Sequence, residues 1–177
     1  MKTKDNSKLA FVDIETTGLD RHKHEIIEIG LLIVNPENFE ILETWHKRIK
    51  PYNLRGADPV ALRINHFDPK IWEKASEPRA ALEEFSRKTR DSYLVSHNIS
   101  FDRPFLEDHF RRWQIPVRWH YHSLDTISFA YCKLQDLESL KLSRLAERLG
   151  IVQEKEHAAL DDVMTCYRVF RKLVEEN

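Results

Sequence analysis

A chain of 177 residues is long enough for one well-buried core and short for two, so residues 1–177 are expected to form a single domain. Hydrophobic residues at 41% and charged residues at 32% exclude a disordered or collagen-like chain. Lys+Arg 28 against Asp+Glu 29 gives a formal net charge of −1, which excludes coating of nucleic acid through bulk basicity and makes any such contact local. Along the chain, the apolar, β-prone run Leu9 to Glu15 (LAFVDIE) predicts a buried strand ended by Thr16, Thr17 and Gly18. Glu25 to Asn35 and Phe39 to Ile49 predict two further strands, with a turn at Asn35, Pro36, Glu37 and Asn38 between them, an antiparallel meander. Pro51 to Pro69 reads as a loop with room for a short helix, and Glu77 to Asp91 as a helix carrying Ala81, Leu82 and Phe85 at helical spacing. A strand is expected at Tyr93 to Ser96, then a helix from Ser100, with Ser100 as its N-cap and Phe101, Phe105, Leu106 and His109 along one side. A short strand near His120 to Leu124 leads to a helix from about Asp125, and Ser139 to Leu149 to a helix closed by Gly150. The last helix runs from about Ala158 to Val174. This order predicts an α/β fold, a mixed sheet flanked by helices.

No apolar run approaches the roughly 20 residues that span a bilayer, and the opening MKTKDNSK lacks the apolar stretch of a secretory signal, so no membrane contact and cytoplasmic placement are expected. Cys132 and Cys166 fall in helical segments without zinc-type spacing and read as small core residues. Two basic groups, Arg21, His22, Lys23 and His24, and Lys47, Arg48, Lys50 and Arg55, could meet nucleic acid or could simply be solvated.

The acidic residues carry the chemistry. Asp13 and Glu15, two apart on a strand, point to one face and converge on one spot. Burying paired carboxylates costs several kcal/mol unless a cation or donors compensate, and a metal ion is the simplest compensation. The alternative, a solvated sheet face, is opposed by Phe11, Val12 and Ile14 around them. Asp102 falls in the first turn of a helix, where the helix dipole alone favours an acid. His157 opens HAALDD at the entrance of the last helix, and an imidazole beside a carboxylate suits general-base chemistry, as it also suits a cap or a surface site. Plain helical spacing pairs His157 with Asp161, a rule that does not apply if His157 precedes the helix, so spacing leaves Asp161 and Asp162 open.

Together, FVDIETTGL at 11–19, HNISFDRPFL at 97–106 and HAALDD at 157–162 resemble, in order and spacing, the three motifs of the DEDDh exonucleases, in the branch containing the proofreading subunit of bacterial replicative DNA polymerase. The resemblance spans nearly the whole chain, with support at Ile26 to Gly30, at Asp125 and Thr126, and at Leu140 to Ile151. It implies a ribonuclease H-like fold with a mixed five-stranded sheet flanked by helices. It implies that Asp13, Glu15, Asp102 and Asp162 hold two divalent cations, Mg2+ or Mn2+, and that His157 is the base; the family's last acid stands five residues after the histidine, which selects Asp162. Thr16, Thr17 and Leu19 match positions that hold the terminal nucleotide, and His97, Asn98, Phe101 and Phe105 are candidates for lining the same pocket, with a core role open for both phenylalanines. Many relatives carry His-Gly-Ile after strand three where this chain has Asn65, His66 and Phe67, so Asn65 or His66 is expected to take over that contact. The implied activity is 3′ to 5′ hydrolysis of nucleic acid to nucleoside 5′-monophosphates, with single-stranded DNA favoured and RNA admitted, and with a polymerase or another replication or repair protein as partner. Two alternatives stand beside it: a small-RNA exoribonuclease of the same family, and a catalytically silent module that binds nucleic acid or a partner protein.

Overall fold

Lys8–Thr16 (β1) and Ile26–Val34 (β2) are nearly continuous apolar runs because they occupy the middle of a sheet covered on both faces. The computed structural model describes residues 7–153 and 158–175. Ile41–Arg48 (β3), Ser92–Ser96 (β4) and Ser123–Asp125 (β5) complete a five-stranded sheet of order β3-β2-β1-β4-β5. The predicted meander is present: β1, β2 and β3 pair antiparallel, while β4 and β5 join β1 in parallel.

On one face Ala10, Val12 and Ile14 of β1 pack with Leu82 and Phe85 of Pro78–Lys88 (α3) and with Phe105, Leu106 and Phe110 of Ile99–Arg112 (α4). On the other, Leu9 and Phe11 meet Val163, Cys166, Tyr167 and Phe170 of Ala159–Glu175 (α7), an i, i+3, i+4, i+7 stripe. Phe11 makes edge contacts with Tyr167 and Phe170 at centroid distances of 5.5 and 5.3 Å. Thr126–Lys133 (α5) and Leu142–Arg148 (α6) lie against α7 through Ala130, Leu145, Ala146, Val169 and Leu173.

Some local expectations hold, including a short helix within residues 51–69, and others are corrected. Residues 51–69 hold a 3-10 turn at Leu54–Gly56 and the helix Pro59–Ile64 (α1), followed by Pro69–Trp72 (α2); Asp58 and Asp68 cap these two helices ahead of Pro59 and Pro69. The N-cap of α4 is Asn98, in left-handed backbone at φ 70°, and not Ser100, whose hydroxyl donates to the Asn98 side chain. The last strand begins only at Ser123, and the helix expected from Ser139 begins at Leu142. Cys132 is exposed on α5, whereas Cys166 is buried as expected. Among the described residues no helix is long and apolar enough to cross a membrane.

Candidate active site

The site forms where parallel strands part. The β1–β4 ladder covers only Lys8–Phe11 against Ser92–Val95, so the later part of β1 continues without a strand on that side. The amide of Ile14 on that stretch donates instead to Asp102 Oδ1 at 3.2 Å, and the Ser96 hydroxyl, at the end of β4, donates to Asp102 Oδ2 at 2.5 Å. The start of α4 that carries Asp102 is held by the Asp125 carboxylate, which accepts the Asn98 and Ile99 amides at 3.2 Å each and caps α5 through the Ile127 amide at 2.9 Å. One side chain thus ties β5 to two helix starts.

On β1, Asp13 stands opposite Gly30 and Glu15 opposite Glu28. Gly30 is what lets α7 approach: a Cβ there would lie 2.2 Å from the Ala159 carbonyl oxygen at the first turn of that helix. That approach brings Asp162 to the strand pair, and oxygens of Asp13, Glu15 and Asp162 lie within 4.8 Å of one another. Asp161 is not in this group and lines a separate pocket with Thr44, Met164 and Arg168. Gln153 donates to Asp162 Oδ1 at 2.6 Å and so orients the carboxylate from the segment ahead of α7.

Crowded acids away from water resist ionisation. Burial, then the charges of Asp102, Glu15, Asp162 and Glu28, hold Asp13 well above the usual carboxylate range. Burial and then the neighbouring Asp162, Glu28 and Asp102 push Glu15 to about 8. Asp102 is raised by burial to about 7, against the opposing donations of Ser96 and Ile14. Glu28 is a fifth acid in this neighbourhood; it is hydrogen-bonded to His46 at 2.7 Å and stands 3.7 Å from the Arg48 guanidinium, both from β3. An all-oxygen cluster this acidic has the chemistry to hold a hard divalent cation such as Mg2+ or Mn2+.

A family described as exonuclease (RNase_T) matches residues 10–170. The chain belongs to the exonuclease family. It is 34% identical over 167 residues to a PolC-type DNA polymerase III of Thermotoga maritima and 31% identical over 156 residues to the 3′-5′ exonuclease DinG of Staphylococcus aureus. These alignments cover 93% and 88% of this chain but only 12% and 17% of those proteins, so the chain spans less than a fifth of either relative. Among solved structures, E. coli Exonuclease I in complex with a dT13 oligonucleotide superposes with a TM-score of 0.82 at 20% identity, over 96% of this chain and 41% of that one. The likeness shows the ribonuclease H-like α/β fold, in agreement with the expectation.

In this exonuclease-family chain the other expected site residues are placed as follows. Thr16 and Thr17 begin the turn after β1, where the Thr16 hydroxyl donates to the Gly18 carbonyl at 2.8 Å and Thr17 Oγ1 accepts the Glu25 amide at 2.9 Å. Leu19, at the tip of that turn, is 80% exposed. Buried Asn65 donates to the Thr16 carbonyl at 2.9 Å, while exposed His66 adopts left-handed backbone at φ 50°. Both His97 nitrogens are engaged: Nε2 donates to the Leu140 carbonyl and Nδ1 accepts from the Thr126 hydroxyl, each at 2.8 Å, and burial lowers its pKa. Asn98 is exposed, Phe101 is half-buried, and Phe105 at 2% exposure belongs to the core and offers no surface to a nucleotide. His157 lies outside the described residues. The basic groups are mostly paired, Lys23 with Asp20, Lys47 with Glu84, Arg48 with Glu28 and Lys50 with Glu77.

Ser96, Gln153 and Gly30 act on the acids without a local sequence signal of that role. Ser96 and Gln153 stand six and nine residues from the carboxylates they orient, across a strand-to-helix junction and a loop where no regular spacing pairs them, and Gly30 matters only because a helix crosses it. A cavity of about 920 Å³ runs along α4 between Arg103, Phe110, Trp119 and Tyr121 and is lined by none of the four acids.

Proposed function

We propose that this chain is the catalytic module of a metal-dependent 3′ to 5′ exonuclease that releases nucleoside 5′-monophosphates, with DNA preferred over RNA. The convergence of Asp13, Glu15 and Asp162 within 4.8 Å, with Asp102 bound to the same strand at Ile14, carries the reading. Asp13, Glu15, Asp102 and Asp162 would hold two divalent cations, and the raised pKa values of Asp13, Glu15 and Asp102 are the expected state of such a cluster before its charge is met. Bound there, the cations would supply Lewis-acid stabilisation of charge on the scissile phosphate and would acidify water.

The chain's own residues do the rest. Ser96 and the Ile14 amide keep Asp102 facing the strand pair, and Gln153 does the same for Asp162. Thr16, Thr17 and exposed Leu19 form the end of the site beside Glu15 and would take the terminal nucleotide, with Asn65 bracing the Thr16 carbonyl from behind. His157 is the general base of this reading on the strength of its motif. The names of the relatives, a DNA polymerase and a 3′-5′ exonuclease, and an oligothymidylate-bound structural neighbour support a DNA substrate and a polymerase or other replication or repair partner, with cytoplasmic work as part of this reading. Residues 1–177 then act as one exonuclease domain.

The test uses 5′-labelled single-stranded DNA, duplex DNA and short RNA with Mn2+, Mg2+ or chelator, comparing wild type with Asp162→Asn and Asp161→Asn. Asp162→Asn is expected to lose at least about a hundredfold in rate and Asp161→Asn less than about threefold, because only the former removes a metal oxygen. Failure of the wild type to shorten any strand with either metal would sink the proposal.

A further inference from the structure

The turn from Thr17 to Glu25 that presents Leu19 is stiff within itself. The Lys23 and His24 amides donate to the Asp20 carbonyl at 3.0 and 2.8 Å, the Asp20 amide donates to His24 Nδ1 at 2.9 Å, and Gly18 lies directly on the His24 ring. What aims this unit is the last part of α4. Asp108, 6% exposed, pairs with Arg112 at 2.7 Å and stands 3.7 Å from His22 Nδ1. The Arg112 guanidinium also donates to the Arg21 carbonyl. One residue from Asp108, the His109 Nε2 accepts the Ile26 amide at 3.1 Å, where the turn re-enters β2. The same helix carries Asp102 ten residues before Arg112, about 15 Å along a rigid rod.

We propose that Asp108 and Arg112 are positioning residues for the 3′ terminus: they lock the Leu19 turn to the helix that sets Asp102, so that nucleotide capture and the carboxylate cluster keep one fixed spacing. This rests on the exonuclease reading above. Arg112 is the tether, because its one guanidinium spans the Asp108 carboxylate and the Arg21 carbonyl. Arg111 pairs with Asp108 at 3.0 Å, whereas Arg112 is the one of the two that also donates to the Arg21 carbonyl, which makes Arg111 the control.

Steady-state cleavage of a 5′-labelled oligothymidylate with Mn2+ is measured for wild type, Arg112→Ala, Arg112→Lys and Arg111→Ala, together with amide hydrogen exchange of Leu19–Lys23 in each protein without nucleic acid. Arg112→Ala is expected to raise KM about tenfold with kcat within about twofold and to speed exchange in the turn, since lost preorganisation weakens capture before chemistry. Arg112→Lys, which keeps the charge beside Asp108, recovers part of the KM, and Arg111→Ala matches wild type. An unchanged KM in Arg112→Ala overturns the proposal, as do equal losses in Arg111→Ala and Arg112→Ala, which would mark general fraying of α4. A wild type inert on every strand overturns the proposed function instead, and the exchange rates alone then decide whether Arg112 tethers the turn.

Discussion

His109 is held neutral by its partners. Its Nε2 accepts the Ile26 amide at 3.1 Å, so the proton sits on Nδ1 and is donated to the Phe105 carbonyl at 2.9 Å. Protonating Nε2 would set a donor against a donor in a site only 4% exposed, and burial first, then Arg112, lowers its pKa to about 4. The unfolded chain, with a histidine near 6.5, therefore binds more protons between these values, and folding stability falls as pH drops from about 6.5 to about 4. The loss attributable to this one imidazole is about 3 kcal/mol. Urea unfolding of wild type and His109→Gln across that range checks it: the variant starts less stable at neutral pH but shows a shallower acid slope. Parallel slopes would assign the acid sensitivity to other groups. Sequence reading put His109 on one side of its helix with Phe101, Phe105 and Leu106, and nothing in it marked the residue as the acceptor for a strand amide 83 positions away.

At the scale of elements, the site depends on one helix landing on one strand. Gly30 sits opposite Asp13 in the β1–β2 ladder, and the first turn of α7 fills the space that a side chain would take. An added methyl must displace the Ala159 backbone, and Asp162, one turn further along α7, moves with it. Gly30→Ala is thus expected to cost about 1–3 kcal/mol of stability through overpacking. It should also cut the cleavage rate at least about tenfold, because small displacements of catalytic groups are expensive. Melting and single-turnover rates measure both; a variant with native rate and native melting would mean that α7 does not fix Asp162. The helices and the meander were legible from periodicity. A short helix is admitted by the sequence within residues 51–69 and is present at Pro59–Ile64, but its bounds and the second helix at Pro69–Trp72 were not legible, because the Asp-Pro pairs at 58–59 and 68–69 begin helices in a stretch whose prolines also read as loop.

For the whole molecule, opposing titrations set the stability profile before metal is added. Glu15, at about 8 folded against 4.5 unfolded, holds its proton better in the folded state, so metal-free protein loses stability as pH rises from about 4.5 to about 8. His109 acts in the other direction below about 6.5, which places the metal-free optimum at mildly acid pH. In Glu15→Gln the repelling charge is gone, and at pH 8.5 in chelator this variant is expected to be more stable than wild type by roughly 1–3 kcal/mol. Millimolar Mn2+ should raise the wild-type melting temperature at that pH and raise it less in Glu15→Gln, since a cation bound only by the folded state stabilises it by mass action. Equal Mn2+ shifts in both proteins would remove Glu15 from the cation site.

Sequence alone determined the α/β class, the meander and the membership that its three motifs announced, because alternation, turn residues and motif order are written along the chain. It also put Asp13 and Glu15 on one face, since a strand repeats every two residues. Tertiary structure decided what depends on distance between remote segments. It placed Asp162 and not Asp161 beside that pair, sent Asp102 to the Ile14 amide that β4 does not reach, and moved Phe105 into the core. It also tied the Leu19 turn to α4 through Arg112. Helical spacing left two candidate acids open; the motif resemblance selected Asp162, and the landing of α7 on Gly30 is what brings that acid to the pair.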